Sequence, residues 1–297
     1  MMTLDQLRIF VAVAERQHLT QAADMLALTP SAVSASIRAL EERYGTPLFD
    51  RVGRGIEVNR AGRIFLDEAR ATLARAAGAE RVLVELAGLA RGALALQASQ
   101  TIASYWLPPL LVRFRETHPQ IDVGLDVGNT QSVADAVRDG RADLGLVEGG
   151  VDDAALVVDR VGRDRMVIVV APGHPWVSKR RLAAADLQTA RWIMREPGSG
   201  TRSALEEMLV GRGVDLAALP VALTLPSNEA VRAAVMSGSC VAGLSELVAA
   251  PYIAAGLLAT VRVNLVPRDF FLLRHRERYR SRAAHAFEQM VRSAPAA

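Results

Sequence analysis

Residues 20–40 read TQAADMLALTPSAVSASIRAL, and they decide how the N-terminal end of the chain is understood. Thr20 is placed to cap a helix whose apolar face is Ala22, Ala23 and Leu26; Gln21 sits in its first turn. Thr29 is placed to cap a second helix with Pro30 in its first position, where a missing N–H costs nothing. Val33, Ile37 and Leu40 recur at steps of four and three, so one face of this second helix is buried. Ser31, Ser34, Ala35 and Arg38 fall on its other side, free to meet base edges and phosphates. Two capped helices across a tight turn form a helix-turn-helix, which seats its second helix in the DNA major groove. Any pair of packed helices shows the same caps, so this segment alone leaves both readings open.

Its flanks favour DNA. The stretch PLFDRVGRGIEVNR, residues 47–60, reads as two short strands around a Gly-Arg-Gly turn, with Arg51 and Arg54 on the exposed side. A hairpin there is a wing, whose tip reaches phosphates or a neighbouring minor groove. Upstream, Leu4, Leu7, Ile9, Phe10, Val13 and Ala14 supply a first helix against which the other two pack.

The chain has 297 residues, enough for two or three domains with cores of their own. A hydrophobic content of 51% with 23% charged residues fits a globular protein. Apolar stretches fall short of the roughly 18–20 residues of a membrane span, and Asp5 and Arg8 stand where a signal peptide would be apolar, so a cytoplasmic, membrane-free protein is expected. The single cysteine, Cys240, cannot form an internal disulfide, and its apolar neighbours suggest a buried thiol. Net charge is only +3, and residues 1–90 hold 11 arginines against 11 acids, so DNA affinity must come from placement. Arg38, Arg51, Arg54, Arg60 and Arg63 gather around the second helix and wing. A second basic run, Arg274, Arg276, Arg278, Arg280 and Arg282, reads as a solvated strand end and loop.

Residues 61–89 form a long proline-free helical pattern. Phe65, Ala69, Thr72, Ala76, Ala79, Leu83 and Leu86 repeat at steps of four and three, a heptad seam that calls for a partner helix. A dimer of two such helices would present two reading helices to two half-sites. From Gly92 onward, short strands alternate with helices in two sets, with strands at 93–98, 121–127, 143–147, 164–171, 192–195, 222–225, 241–244 and 270–274. The expected helices are 103–117, 132–139, 201–212, 228–237 and 282–291. Two α/β lobes joined by crossing strands follow, with a cleft where strand ends and helix N-termini converge.

Three motifs then carry a family resemblance: LRIFVAVAERQHLTQAADMLALTPSAVSASIRALEERYGTPLFDR, the following VNRAGRIFLDEA, and WIMREPGSGTR. The chain resembles a LysR-type transcriptional regulator over its whole length. The resemblance implies an α/β protein with an N-terminal winged helix-turn-helix, a long dimerising linker helix and a two-lobed effector domain like the periplasmic binding proteins, assembled as a homotetramer. The corresponding division is 1–60 for DNA binding, 61–91 for the linker and 92–297 for the effector domain, with lobe 1 at 92–161 and 267–297 and lobe 2 at 162–266. Double-stranded DNA, a second copy of the chain and a small-molecule effector are the expected partners, RNA polymerase is a further candidate, and no cofactor is expected.

Two departures bear on DNA reading. The family often carries Gln-Pro at the start of the recognition helix and Arg-Gln after its central serine; here Pro30-Ser31 and Ala35-Ser36 stand there. The side chains that commonly pair bidentately with guanine or adenine are thus missing at three positions. Readout falls to Ser31, Ser34, Ser36, Arg38 and an apolar contact from Ala32 or Ala35 to a thymine methyl, with more weight on backbone shape.

Turns that could line the cleft carry Ser99, Gln100 and Thr101; Gly128 and Asn129; Arg195, Ser199, Thr201 and Arg202; and Ser227. Each precedes a helix, where N–H groups and hydroxyls favour an anion, although each taken alone is also an ordinary helix cap. In the resembling family these turns hold the effector. The set has few aromatics, which points to a small carboxylate or an inorganic oxyanion.

Catalysis has little support. GSGT lacks the Lys-Ser/Thr pair of a phosphate loop, and the only lysine is Lys179. His118 and His174 precede prolines and read as turn residues, and five histidines with one cysteine give no zinc spacing. A solute-binding protein and an effector-independent DNA binder remain as the other readings.

Overall fold

The computed structural model describes residues 1–53, 55–86, 92–263 and 267–293. Two compact units divide the chain: Met1–Val84 with Asp139–Arg141, and Glu85–Arg138 with Ala142–Ala297.

In the first unit the order is α1 (Leu4–Arg16), α2 (Leu19–Leu26), α3 (Pro30–Tyr44), β1 (Phe49–Val52), β2 (Gly55–Val58) and α4 (Arg60–Leu86). A capping box starts α1: Thr3 Oγ1 accepts from the Gln6 N–H at 3.2 Å, and Gln6 Oε1 accepts from the Thr3 N–H at 3.1 Å. Leu7, Phe10 and Val13 of α1 meet Ala22 and Ala23 of α2 and Val33, Ile37 and Leu40 of α3 in one core. Thr29 caps α3 as expected, its Oγ1 accepting from the Ala32 N–H at 3.2 Å. The cap of α2 is a different residue. His18 Nδ1 accepts from the Gln21 N–H at 3.3 Å, so Thr20 lies inside the first turn. An imidazole nitrogen can accept as a hydroxyl does, but histidine is not among the favoured capping residues.

The wing is held to α3 and α4 by side-chain bonds to backbone. Glu41 Oε1 accepts from the Leu48 and Phe49 N–H groups at 2.7 and 3.3 Å, and Asn59 bridges Pro47 O at 3.0 Å and the Gly62 N–H at 2.9 Å. β1 and β2 pair antiparallel from Phe49↔Val58 to Val52↔Gly55. Gly53 turns at φ +58°, and Arg54 lies outside the described residues. Along α4, Phe65 is half-buried and Ala69 buried, whereas Ala79 and Leu83 are exposed; the Leu86 side chain lies outside the described residues.

The second unit runs β3 (Ala93–Ser99), α5 (Pro108–Thr117), β4 (Asp122–Gly128), α6 (Thr130–Asp139), β5 (Leu144–Glu148), β6 (Leu156–Asp164), β7 (Met166–Val170), α7 (Ala184–Thr189), β8 (Trp192–Arg195), α8 (Gly200–Gly211), β9 (Val221–Leu225), α9 (Asn228–Met236), β10 (Ala242–Ser245), α10 (Glu246–Ala254), β11 (Ala259–Thr260), β12 (Arg268–His275) and α11 (Arg282–Arg292). Lobe 1 is a sheet ordered β4-β3-β5-β12-β6, parallel across β4, β3 and β5 and antiparallel where β12 pairs with β5 and β6. Lobe 2 has β10-β7-β11 antiparallel and β8-β9 parallel, linked by a bridge from Trp192 to Val241. Leu96, Phe114, Leu146, Phe270 and Phe287 fill the lobe 1 core, and Trp176, Trp192, Leu205 and Leu209 that of lobe 2.

Several expected elements change. The helix at 103–117 is two pieces: a π-type turn at Ile102–Trp106, where the Leu107 N–H bonds to Ile102 O at 2.9 Å, then α5. Pro108 and Pro109 supply no N–H, so the carbonyls four residues before them lose their helical partners. The strand expected at 164–171 is the C-terminal part of a crossing pair, and β6 before it went unread because an edge strand of mixed burial shows no clean alternation. α10 forms despite Pro251, since Val248 and Ala249 bury their side chains. The basic run at 274–282 is also more than a solvated loop. Arg276 donates to Ala154 O and Leu156 O, Arg278 to Val137 O and Arg138 O, and Arg280 pairs with Glu288 at 3.0 Å. Cys240 is half-buried.

Gly62 is a position that tolerates no side chain, because a Cβ there would stand 2.1 Å from Leu48 O and 2.7 Å from Val58 Cγ2. Gly62→Ala should cost about 1–3 kcal/mol through overpacking at the junction of wing and α4. A lowered melting temperature would show it, and an unchanged one would contradict the junction.

Candidate functional site

On the first unit, the reading face of α3 is placed as the spacing implied. Pro30, Ser31, Ala32, Ala35 and Arg38 are exposed, Ser34 and Ser36 half-buried, and Val33, Ile37 and Leu40 buried. Thr20, Gln21, Thr29 and Arg51 are exposed as well. Ser31 and Thr29 hydroxyls lie 3.0 Å apart at the start of α3. A groove of about 580 Å³ runs between the first turn of α2, the middle of α3 and the wing, lined by His18, Thr20, Ser34, Arg38, Arg51 and Gly53 among others. His18 was not legible as a groove residue. With Nδ1 accepting at the α2 cap, a neutral His18 ring carries its proton on Nε2 as a donor.

In the second unit, several of the turns named from sequence meet where the two lobes touch. Ser99 ends β3, Thr101 follows it, and both are buried; Arg195, Ser199 and Thr201 are buried on the lobe 2 side. Direct bonds join the walls. Gln100 Oε1 accepts from the Asn228 N–H at 2.7 Å while its Nε2 donates to Glu229 Oε2 at 2.9 Å, and Tyr105 donates to Glu229 Oε1 at 3.1 Å. Asn228 Nδ2 donates to Thr101 Oγ1 at 3.0 Å, and Asn129 Nδ2 to Glu196 Oε1 at 3.3 Å. Gly200 permits this approach: a Cβ would stand 2.3 Å from Glu148 O and 2.7 Å from Thr130 Oγ1.

These bonds divide the named residues by what they have left to give. The amide of Gln100 is spent on the first turn of α9, and Ser227 caps that helix through the Ala230 N–H at 3.0 Å. Arg202 turns to Glu206 at 2.7 Å and to Arg195 O, and Gly128 packs against Ser132 on its own wall. Arg195 donates to Asn228 Oδ1 at 2.6 Å and forks onto Glu196 at 2.8 and 2.9 Å. Ser99 Oγ, by contrast, is buried without a hydrogen-bond partner among the described residues.

Behind Thr101 and Thr201 lies a buried residue absent from the sequence reading. Arg268, the first residue of β12, pairs with Asp164 at 2.6 Å and stands 3.7 Å from Glu148. Its position was hidden because β12 returns to lobe 1 from a distant part of the chain. Burial pushes the Asp164 carboxyl up against the opposing pull of Arg268 and Ser245. Burial, the largest single cause, would also raise Glu196, but the bonds from Arg195, Asn129 and the backbone together with the Arg195 charge outweigh it and the net shift is downward. Among the described residues no group of His, Cys, Asp or Glu is arranged to hold a metal, and no helix is long and apolar enough to cross a membrane.

A winged helix-turn-helix and a two-lobed domain with polar residues buried where its lobes meet, on one chain, define the class of ligand-responsive transcription regulators. Comparison with known proteins gives the family. Residues 4–63 match the bacterial regulatory helix-turn-helix protein, lysR family, and residues 87–296 match the LysR substrate binding domain. The chain belongs to the LysR family: it is a DNA-binding transcriptional regulator with an effector-binding domain, and its relatives are regulators rather than enzymes. It is 36% identical over 287 residues to the HTH-type transcriptional regulator YeiE of Escherichia coli K12, covering 96% of this chain and 95% of that one. It is 31% identical over 294 residues to a probable RuBisCO transcriptional regulator of Cyanidioschyzon merolae, covering 97% of each. Among solved structures it resembles CbnR complexed with its target DNA, with a TM-score of 0.69 at 22% identity over 98% of this chain and 99% of that one, a likeness of fold. The Synechocystis PCC6803 CcmR regulatory domain in complex with 2-PG covers 68% of this chain and 96% of that one, with a TM-score of 0.62 and 25% identity.

The pair Arg195–Glu196 has a pH signature. A carboxylate held below its ordinary value adds stability above that value and loses it as pH falls through the depressed one. Melting temperature followed from neutral to acid pH should therefore drop more steeply in the wild type than in Glu196→Gln; parallel curves would contradict the pairing.

Proposed function

We propose that the chain senses a small carboxylate or inorganic oxyanion in the cleft between its lobes and converts binding into a change in how paired reading heads sit on DNA. The observation that carries this is Ser99: the residue is 2% exposed, its hydroxyl has no hydrogen-bond partner among the described residues, and it lies two residues before the buried Thr101 at the end of β3. A buried polar atom without a partner calls for an absent one. The few aromatics along these turns and the direct contact of the walls favour a compact ligand. The CcmR regulatory domain, to which this chain is similar, is described in complex with 2-PG, which supports a small ligand for this kind of domain. Of the residues named from sequence, Ser99, Thr101, Ser199 and Thr201 form our ligand set; Arg195, Asn129, Gln100, Gly128, Arg202 and Ser227 shape its walls.

For DNA we assign direct contacts to Ser31, Ala32, Ser34, Ala35, Ser36 and Arg38, with Thr20, Gln21, Thr29, Pro30, Arg51 and Arg54 around them. His18 joins the set as a phosphate donor in the groove. The division is 1–60 for reading DNA, 61–91 for dimerisation and 92–297 for sensing. Leu83, 69% exposed on α4, continues the heptad seam past the last side chains that its own unit covers. A dimer through α4, paired into a tetramer, would space the reading heads over two half-sites. RNA polymerase is a further candidate partner in this reading, and a cytoplasmic location is consistent with it.

Arg38→Ala and Arg51→Ala should each weaken binding to all sequences alike and reduce the salt slope by about one. Titrations at several salt concentrations read this, and an unchanged slope would remove the residue from the phosphate contacts. Calorimetry of the full chain against sulfate, phosphate and small carboxylates should find a binder among them. Binding only to uncharged or aromatic compounds would overturn the anion reading, and a footprint insensitive to every bound compound would favour an effector-independent DNA binder.

A further inference from the structure

We propose that Arg268 is the positioning residue that makes this cleft selective for anions, by forcing the hydroxyls of Thr101 and Thr201 to act as donors. The inference rests on the anion reading above and supplies the reason for its selectivity.

Arg268 is 6% exposed and begins the strand that returns to lobe 1. Its Nε donates to Asp164 Oδ2 at 2.7 Å, which fixes the plane of the guanidinium. One terminal nitrogen donates to Thr201 Oγ1 at 3.0 Å and the other to Thr101 Oγ1 at 3.4 Å. A single planar fork therefore touches one hydroxyl from each wall of the cleft. Guanidinium has no acceptor, so both threonine oxygens must receive from it through lone pairs, and each hydroxyl hydrogen must point elsewhere. Thr101 is more constrained still, because its second lone pair receives Asn228 Nδ2 at 3.0 Å.

Among the described residues neither hydroxyl finds an acceptor for its hydrogen, and Ser99 Oγ, two residues before Thr101, has no partner of either kind. Three buried hydroxyl hydrogens with nothing to receive them suit one class of ligand, a compact oxyanion with several acceptor oxygens and no hydrogen to offer. Hydrogen bonds to an ionised acceptor are about twice as strong as neutral ones. The positive charge of Arg268 is itself answered by Asp164 at 2.6 Å and Glu148 at 3.7 Å. Selectivity thus lies in the direction of the hydroxyls more than in net charge. Lysine could keep the pairing with Asp164 but cannot present a planar fork to both threonines.

Calorimetry on the full chain with sulfate, phosphate and glycolate, and with glycolamide as the uncharged match for glycolate, tests this. The wild type should bind at least one of the anions, and no glycolamide. Thr201→Val should lose roughly tenfold or more in affinity for that anion, the weight of one charge-assisted hydrogen bond, and Thr201→Ser should recover it. Arg268→Lys, with a wild-type melting temperature, should lose a similar factor. Wild-type affinity in folded Arg268→Lys would overturn the positioning role and leave the anion reading standing. Should that variant fail to fold, wild-type affinity in Thr201→Val would overturn it in its place. If the wild type bound none of the three anions, the anion reading would fall first and this inference with it.

Discussion

A guanidinium removed from water costs on the order of several kcal/mol unless its neighbours replace what the water gave. In the effector domain Arg268 is that group, and the arrangement around it follows from the need to satisfy its donors. Asp164 comes from the end of β6 where the chain crosses toward lobe 2, Thr101 from lobe 1, and Thr201 from the N-terminus of α8 in lobe 2. The lobes can separate only by giving up some of these bonds. Gly200 adds the steric half of the same constraint, since only a glycine lets α8 come up against the backbone of β5. Closure is therefore a specific packed state, and a ligand that binds it better than the open state shifts the balance by the difference in affinity.

The DNA-binding unit depends on a smaller set of constraints with the same logic. Backbone N–H groups at the start of the wing would be orphaned as the chain leaves α3, and the Glu41 carboxylate receives two of them. Asn59 closes the other end of the hairpin and caps α4, with Gly62 making room for the Leu48 carbonyl. The wing is thereby fixed to the recognition helix by polar bonds around a small apolar core. A groove bounded by α2, α3 and β1 results, with Arg38 and Arg51 on its walls and few side chains suited to bidentate base reading.

How far the sequence was legible depended on the range of the interaction. Caps, periodicities and turns are local, so Thr29, Pro30, the Val33-Ile37-Leu40 face and most strand-to-helix turns of the sensor could be read directly. Where two local signals competed, the reading slipped: Pro108-Pro109 divided an expected helix, Pro251 hid one, and His18 took the cap expected of Thr20. The edge strand β6 lacked the alternation that marks a half-buried strand. What no local pattern could show was pairing at a distance. Arg268 lies more than a hundred residues from Asp164, and Gln100 a similar distance from Asn228, so their bonds exist only once the crossing strands bring the lobes together. Ser99 and Thr101 were legible as candidates for the ligand, but the residue that orients their neighbourhood was not.

Anion in the cleft and shape of the DNA are the two ends of the account, and their coupling is its central claim. On the proposed reading, a helix with Pro30, Ala35 and Ser36 where bidentate readers often stand draws more of its specificity from the spacing and bending of the duplex. Anything that moves the reading heads should then be visible in the DNA itself. The direct measurement is the bend of operator DNA, read by fluorescence energy transfer between its ends as an anion that binds the full chain is titrated in. The account predicts a change in end-to-end distance whose midpoint matches the dissociation constant of that anion. A bend that stays constant while the anion saturates the protein would contradict it.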